Sequence, residues 1–451
     1  GWTTGGGFVN GSAGVVTYSG STMSVSGTFN VSAGTFPSGL TVTFDDTGGG
    51  DDTTLTCGSV TFTQVIITKN DSGGGSMTIS SGCTVPLGAS PTSVFNSSSA
   101  AFTNNGTITV ASGTWTITDT NTSTFHTFTN NGTITHSGSG WTTGGGFVNG
   151  AAGVVTYAGT TMTVNGTFDV SAGTFPSGLT VTLSEDPSGG FSGDHTVMTC
   201  GSVTFTKVIL TKNTGGAATV GGSITISAGC TVPLGASPTT AVTNTFTNNG
   251  TITIDSGTWT VNGNTNGLLS SNMTNNGTIT HSGDGWVSSG GLVMGASAVV
   301  TYSGSTMSFG QNLDVSLGTF PSGKIVTFTD TGSSSDTTLT CGSVTFGGMI
   351  VNKDSSGDMI LGGSCTDTDD LTFTAGTLSN PGSAMTLTVQ GDAAFNSTGT
   401  FGGANLTLSL EGSTNNTLSK SAGTFASKLK VNKTVGNSAT LTTALSTTNT
   451  F

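Results

Sequence analysis

Arginine is absent from this 451-residue chain, and its nine basic residues are all lysine. Clustered lysine and arginine neutralise phosphate backbones, and the guanidinium fork is the usual reader of base edges. A chain with a formal net charge of -13 and no arginine is therefore not a nucleic-acid partner. Charge of either sign is scarce: 7% of residues are charged, against about a quarter in ordinary globular domains. Such a surface is weakly acidic and repels other anions. Proline is rare, at nine residues. No apolar run approaches the ~18 residues of a membrane-spanning helix, so no transmembrane segment is expected. Helical periodicity of useful length is missing as well. The first residues hold no initiator Met, basic segment or apolar stretch of a secretion signal.

What is present is glycine, at 73 residues, with abundant Thr, Ser and Asn. Phe, Val, Ile and Leu recur among them at short intervals, unlike the low hydrophobicity and high charge of disordered chains. The recurrence is strict. "FTNNGTITVASGTW" at Phe102–Trp115 returns as "FTNNGTITHSGSGW" at Phe128–Trp141, 26 residues on. "MTVNGTFDVSAGTF" from Met162, "MSVSGTFNVSAGTF" from Met23, "MSFGQNLDVSLGTF" from Met307, "FTNNGTITIDSGTW" from Phe246 and "MTNNGTITHSGDGW" from Met273 align with it without a gap. A larger repeat contains the small one. Trp2, Trp141 and Trp286 each open the same programme of "VVTY", "GTFPSG" and "CGSVTF". The repeats divide the chain into units at 1–139, 140–284 and a partial 285–375, followed by divergent coils at 376–451.

Alternation such as Thr-Ile-Thr-Val has period two, the pattern of a strand with one buried face. Asn-Gly and Ser-Gly supply the turns between strands. Short strands at this spacing suit either tandem sandwiches or a continuous solenoid. The 26-residue return decides for the solenoid, because a coil of three ~5-residue strands plus turns takes roughly 20–27 residues. Equivalent residues then stack about 4.8 Å apart, and ladders of identical Asn and aromatic side chains are favourable in that geometry. Phe102 should lie on Phe128, Asn105 on Asn131 and Trp115 on Trp141. A hexapeptide rhythm, the mark of left-handed solenoids, is absent. The expected fold is all-β: one elongated, right-handed parallel β-helix.

These phrases, with "LSKSAGTFASKLKVNKTVGNSATLTTA" near the end, resemble the β-strand-repeat surface proteins of bacteria. They are similar in style to filamentous-haemagglutinin-like adhesins and autotransporter passenger solenoids. The resemblance implies an extracellular or cell-surface location and an adhesive, coat or fibre role, with cell-surface glycans or neighbouring cells as partners. It carries over no catalytic residue.

The six cysteines fall into pairs within each large repeat: Cys57 and Cys83, Cys200 and Cys230, Cys341 and Cys365. Each pair is separated by about one coil, which brings Cα atoms within disulfide range. Three disulfides in an oxidising compartment are expected; reduced, buried cysteine ladders are the alternative. No Cys-x-x-Cys or adjacent His supports a metal there. Asp45, Asp46, Asp51 and Asp52 cluster on a glycine-rich loop that could hold calcium through hard oxygens. Their spacing matches neither an EF-hand nor a glycine-aspartate nonapeptide, so a solvated loop is the plainer reading and no cofactor is expected. His136 and His281 repeat in "THSG", while His126 and His195 do not; all four read as surface or turn residues. Tyr18, Tyr157 and Tyr302 read as structural. Lys69, Lys212, Lys353 and Lys433 recur at strand ends. They read as exposed strand caps in preference to partners in a Lys–Asn or Lys–Asp isopeptide link.

No nucleophile and base pair up by motif, and no enzyme is expected; one constellation would suffice for catalysis, whereas this chain tiles. A polysaccharide-active β-helix would need an acidic cluster with a basic residue, or several Asp on one face, where this chain places Thr, Ser and Asn. A glycan-binding module is the other alternative. Both termini fall in mid-motif, "GWTTGGGFVNG" at Gly1 and "TNTF" at Phe451. Solenoid ends need caps, and docking of unlike ends builds open filaments. The sequence therefore points to a head-to-tail homopolymer.

Overall fold

A computed structural model describes the chain except residues 46–51, 70–74, 96–100, 120–125, 185–194, 213–221, 243, 264–271, 330–335, 354–356, 380 and 444–451. Every regular element among the described residues is a β-strand, and the pairings between them are parallel. The chain is a β-solenoid, as its repeats require. It divides into two compact units, Gly1–Val232 and Pro233–Phe451.

In the first unit, one face runs from Trp2–Thr4 to Phe205–Lys212, each strand pairing with its equivalent in the next coil. A second face runs from Phe8–Val9 to Ser223–Ile226. Alternation sets which side chains face in. Along Leu40–Asp45, Leu40, Val42 and Phe44 are 3% exposed or less, and the residues between them point outward. The third face is regular only where the "NNGTIT" phrase and its neighbours supply it: Thr84–Ala89, Thr107–Ser112, Thr133–His136 and Val154–Tyr157. Elsewhere "SAGTFPSG" replaces that strand. Pro37 has no N–H to give a ladder, and Gly34 adopts φ +67°. A Cβ on Gly34 would lie 2.3 Å from the Gly14 carbonyl oxygen, so that position admits no side chain. Only single bridges such as Val15 to Thr35 remain there. Coil length is consequently elastic, from 19 residues between Asn130 and Asn149 to 30 between Cys200 and Cys230.

The second unit repeats this plan as far as Thr345–Asn352 and then changes. That eight-residue strand pairs at its start with Cys365–Asp367 and at its end with Leu371–Ala375. Gly347 and Gly348 lie at the division, with Gly348 at φ +145°, where only glycine is unstrained. Beyond it the face continues as two rows. One holds Met385–Val389, Leu406–Gly412 and Lys428–Lys433; the other holds Ala393–Phe395, Asn416–Lys420 and Ala439–Leu441.

Candidate functional site

The chemistry-bearing side chains gather at the coil interior and its corners. All three expected disulfides form: Cys57–Cys83, Cys200–Cys230 and Cys341–Cys365, with Cα separations of 5.2, 5.1 and 5.4 Å. Cys57, Cys83, Cys200, Cys230 and Cys341 each lie at the turn after a second-face strand, Cys365 opens the strand Cys365–Asp367, and each bond joins adjacent coils. No cysteine is left free.

The aromatic ladder places Phe102 on Phe128 at 4.5 Å between ring centroids and Trp115 on Trp141 at 5.2 Å, both stacked. Trp259 and Trp286 repeat the arrangement in the second unit at 4.9 Å. The exposed ladder joins the Asn131 Nδ2 donor to Asn105 Oδ1 at 3.2 Å. A second, buried asparagine ladder runs beside it. Asn104 Nδ2 donates to Asn130 Oδ1 at 2.8 Å, and Asn130 Nδ2 to Asn149 Oδ1 at 2.9 Å. Asn149 ends the column by donating to the Ala172 carbonyl at 2.9 Å. The doubled "NN" carried this signal: adjacent residues on a strand face opposite ways, so one asparagine of each pair must point inward.

His136 and His281 are neither surface nor turn residues: each ends a third-face strand, Thr133–His136 and Thr278–His281, and is buried. The Gly138 N–H donates to His136 Nδ1 at 2.9 Å, so Nε2 carries the proton and donates to the Gly140 carbonyl at 2.9 Å. His281 repeats this with Gly283 and Gly285 at 3.0 and 2.8 Å. Burial holds both imidazoles below the usual histidine range. Both nitrogens of each ring are engaged. His126 is buried too, 6.1 Å from the Phe95 ring; His195 begins the strand His195–Thr199 and is exposed. Tyr157 donates to the Thr161 carbonyl and Tyr302 to the Thr306 carbonyl, each at 2.6 Å. Burial pushes both phenols up to about 12.

The lysines depart from expectation. Lys69, Lys212 and Lys353 are not exposed caps: they are 0%, 0% and 1% exposed. The cause is alternation. Val65, Ile67 and Lys69 share a parity, and the apolar members of that set face the core. Lys69 Nζ reaches the Ser26 carbonyl at 3.2 Å and Thr53 Oγ1 at 3.0 Å. Lys353 Nζ reaches the Gly310 carbonyl at 3.3 Å and Thr337 Oγ1 at 2.8 Å. Lys212 Nζ donates to the Asn165 carbonyl. A buried ammonium is costly unless hydrogen-bonded, and these carbonyls and hydroxyls meet that requirement at the same corner in each repeat.

Asp367 is a buried carboxyl of the same inward parity as Cys365. Its Oδ1 accepts the Asp369 N–H at 3.1 Å, and its Oδ2 has no hydrogen-bond partner among the described residues. Burial pushes its pKa up to about 7. Of the calcium candidates, Asp45 accepts a hydrogen bond from Ser24 Oγ at 3.3 Å, and Asp52 accepts the Ser76 N–H at 2.8 Å. Asp46 and Asp51 lie outside the described residues. No group of three or more His, Cys, Asp or Glu side chains that could hold a metal occurs among the described residues. No helix there is long and apolar enough to cross a membrane.

The architecture defines a disulfide-linked parallel β-solenoid. No family model, curated protein or solved structure matches this chain.

Proposed function

We propose that the chain is an extracellular structural protein: part of a surface fibre, filament or adhesive rod that associates with copies of itself head to tail. The supporting observation is that one set of reactive residues is spent three times on holding coils together. Each large repeat directs a cysteine pair and a lysine at equivalent positions into coil-to-coil bonds, while a repeated tyrosine closes its own turn four residues on. Disulfides persist in oxidising compartments, which agrees with secretion. Coils that stack like on like, as Trp115 on Trp141, are also complementary to the coils of another copy. Negative-stain microscopy and sedimentation of the native secreted material test the reading. Filaments with an axial joint are expected, and a monodisperse monomer refutes the self-association.

A glycan-binding adhesin is the second reading. It is favoured by a column of exposed and half-exposed hydroxyls on the first face: Thr92, Thr116, Thr142, Thr163 and Thr182 in continuous register. A glycan array distinguishes it, and a polysaccharide-depolymerisation assay tests the enzymatic alternative.

A further inference from the structure

Two of the four strand-end lysines named above donate to a threonine, Lys69 to Thr53 and Lys353 to Thr337; Lys212 has Thr196 at the equivalent position, but its amine donates to the Asn165 carbonyl and the Thr196 hydroxyl has no partner among the described residues. The fourth has a different neighbour. Lys433 Nζ donates to the side-chain oxygen of Asn416, 17 residues upstream, where the Lys69–Thr53 and Lys353–Thr337 bonds span 16. A threonine hydroxyl has no acyl group to give an amine, whereas a carboxamide can transfer its acyl group. We propose that Lys433 and Asn416 join in an intramolecular isopeptide bond.

The amide is fixed for this. Asn416 is 1% exposed, and its Nδ2 donates to the Gln390 carbonyl at 2.5 Å and to the Gly391 carbonyl. Those bonds leave Oδ1 turned to the amine, which also donates to the Glu411 carbonyl. Desolvation holds the Lys433 amine below the usual lysine range, against the opposing pull of Asp392 and Glu411. Only the neutral amine is nucleophilic, and two groups held in contact react with a large effective concentration. Asp392 Oδ1 accepts the Thr417 N–H at 2.7 Å, beside Asn416.

In the step itself, Nζ attacks Asn416 Cγ and the Nζ–Cγ bond forms. Asp392 passes a proton from the attacking nitrogen to Nδ2, the Cγ–Nδ2 bond breaks, and ammonia leaves. The carbonyl is restored, no electron is transferred and no co-reactant is needed. The link falls in the divergent coils, where the chain has no cysteine after Cys365. It would give those coils the covalent closure that a disulfide gives each of the repeats before them.

The test is the intact mass of the full chain, followed by peptide mapping. The expected mass is lower by one ammonia than the sequence with three disulfides requires, and digestion yields a branched peptide joining Asn416 to Lys433. Lys433→Arg and Asn416→Ala should each restore the lost mass. A wild-type mass equal to that of the sequence overturns the proposal, as do linear peptides carrying both residues unmodified. Loss of ammonia without the branched peptide, as from a succinimide at an Asn-Gly site, overturns it equally. The wild-type measurement decides even where a variant does not fold.

Discussion

Replacing Asn130 by alanine should destabilise the first unit far more than replacing its neighbour Asn131. Asn130 is fully buried and makes both bonds of the inner ladder, accepting from Asn104 at 2.8 Å and donating to Asn149 at 2.9 Å. Without it, the Asn149 Oδ1 acceptor is stranded in the interior. The Asn104 amide is less affected, because it retains the Thr133 carbonyl at 3.2 Å. A stranded buried polar group costs about 1–3 kcal/mol and the second lost bond about 0.5–1.5 kcal/mol. The expected loss for Asn130→Ala is therefore about 2–4 kcal/mol. Asn131 makes one exposed bond to Asn105 at 3.2 Å, and a surface substitution of that kind changes stability by about 0.5 kcal/mol or less. Urea unfolding followed through tryptophan fluorescence is the assay, since Trp115 and Trp141 lie in the same coils as the ladder. A local reporter is preferable because cooperativity in repeat arrays can break down. Equal losses for the two variants would refute the distinction between inner and outer ladders.

Opening the Cys57–Cys83 bond by a double serine substitution should cost about 3.5 kcal/mol for its loop, by the chain-entropy relation; the loop separation is 26 residues. A shift in the unfolding midpoint confined to that region checks it, and an unchanged midpoint would show that stacking alone holds those coils. Acid should weaken the turns at His136 and His281. Their folded pKa values lie below the ordinary 6.5, so their contribution is fully present above that value and is lost as pH falls through the folded values. Stability measured from pH 7 downward should decline below about 6.5, and a His136→Ala, His281→Ala double variant should lose that part of the slope.

The repeat spacing alone disclosed the ladders and the cysteine pairing, because stacked coils must present like residues at like positions. What it left hidden were polar residues at inward positions. Lys69 and Asp367 resemble surface residues by type, yet their parity with Ile67 and Cys365 places them inside. Counting alternation from the nearest apolar neighbours would have found both, along with the inner member of each Asn-Asn pair. The division of Thr345–Asn352 between two following strands was less legible. It depends on Gly347 and Gly348 turning the backbone within what otherwise reads as one continuous strand.

The position of the disulfides bears on how the chain fails when cut or pulled. Each bond encloses one coil-length of chain, 26, 30 or 24 residues, including a Gly- or Ser-rich stretch such as "NDSGGGS" at Asn70–Ser76. A protease that cleaves within the enclosed segment leaves both fragments joined through sulfur, so a nick there does not sever the strand. Under tension the enclosed residues are shielded from the load. At about 3.5 Å per extended residue, the 26 residues of the first loop keep roughly 90 Å of contour length in reserve. That length is released only by a reductant, which makes the extensibility of the chain a property of its redox surroundings.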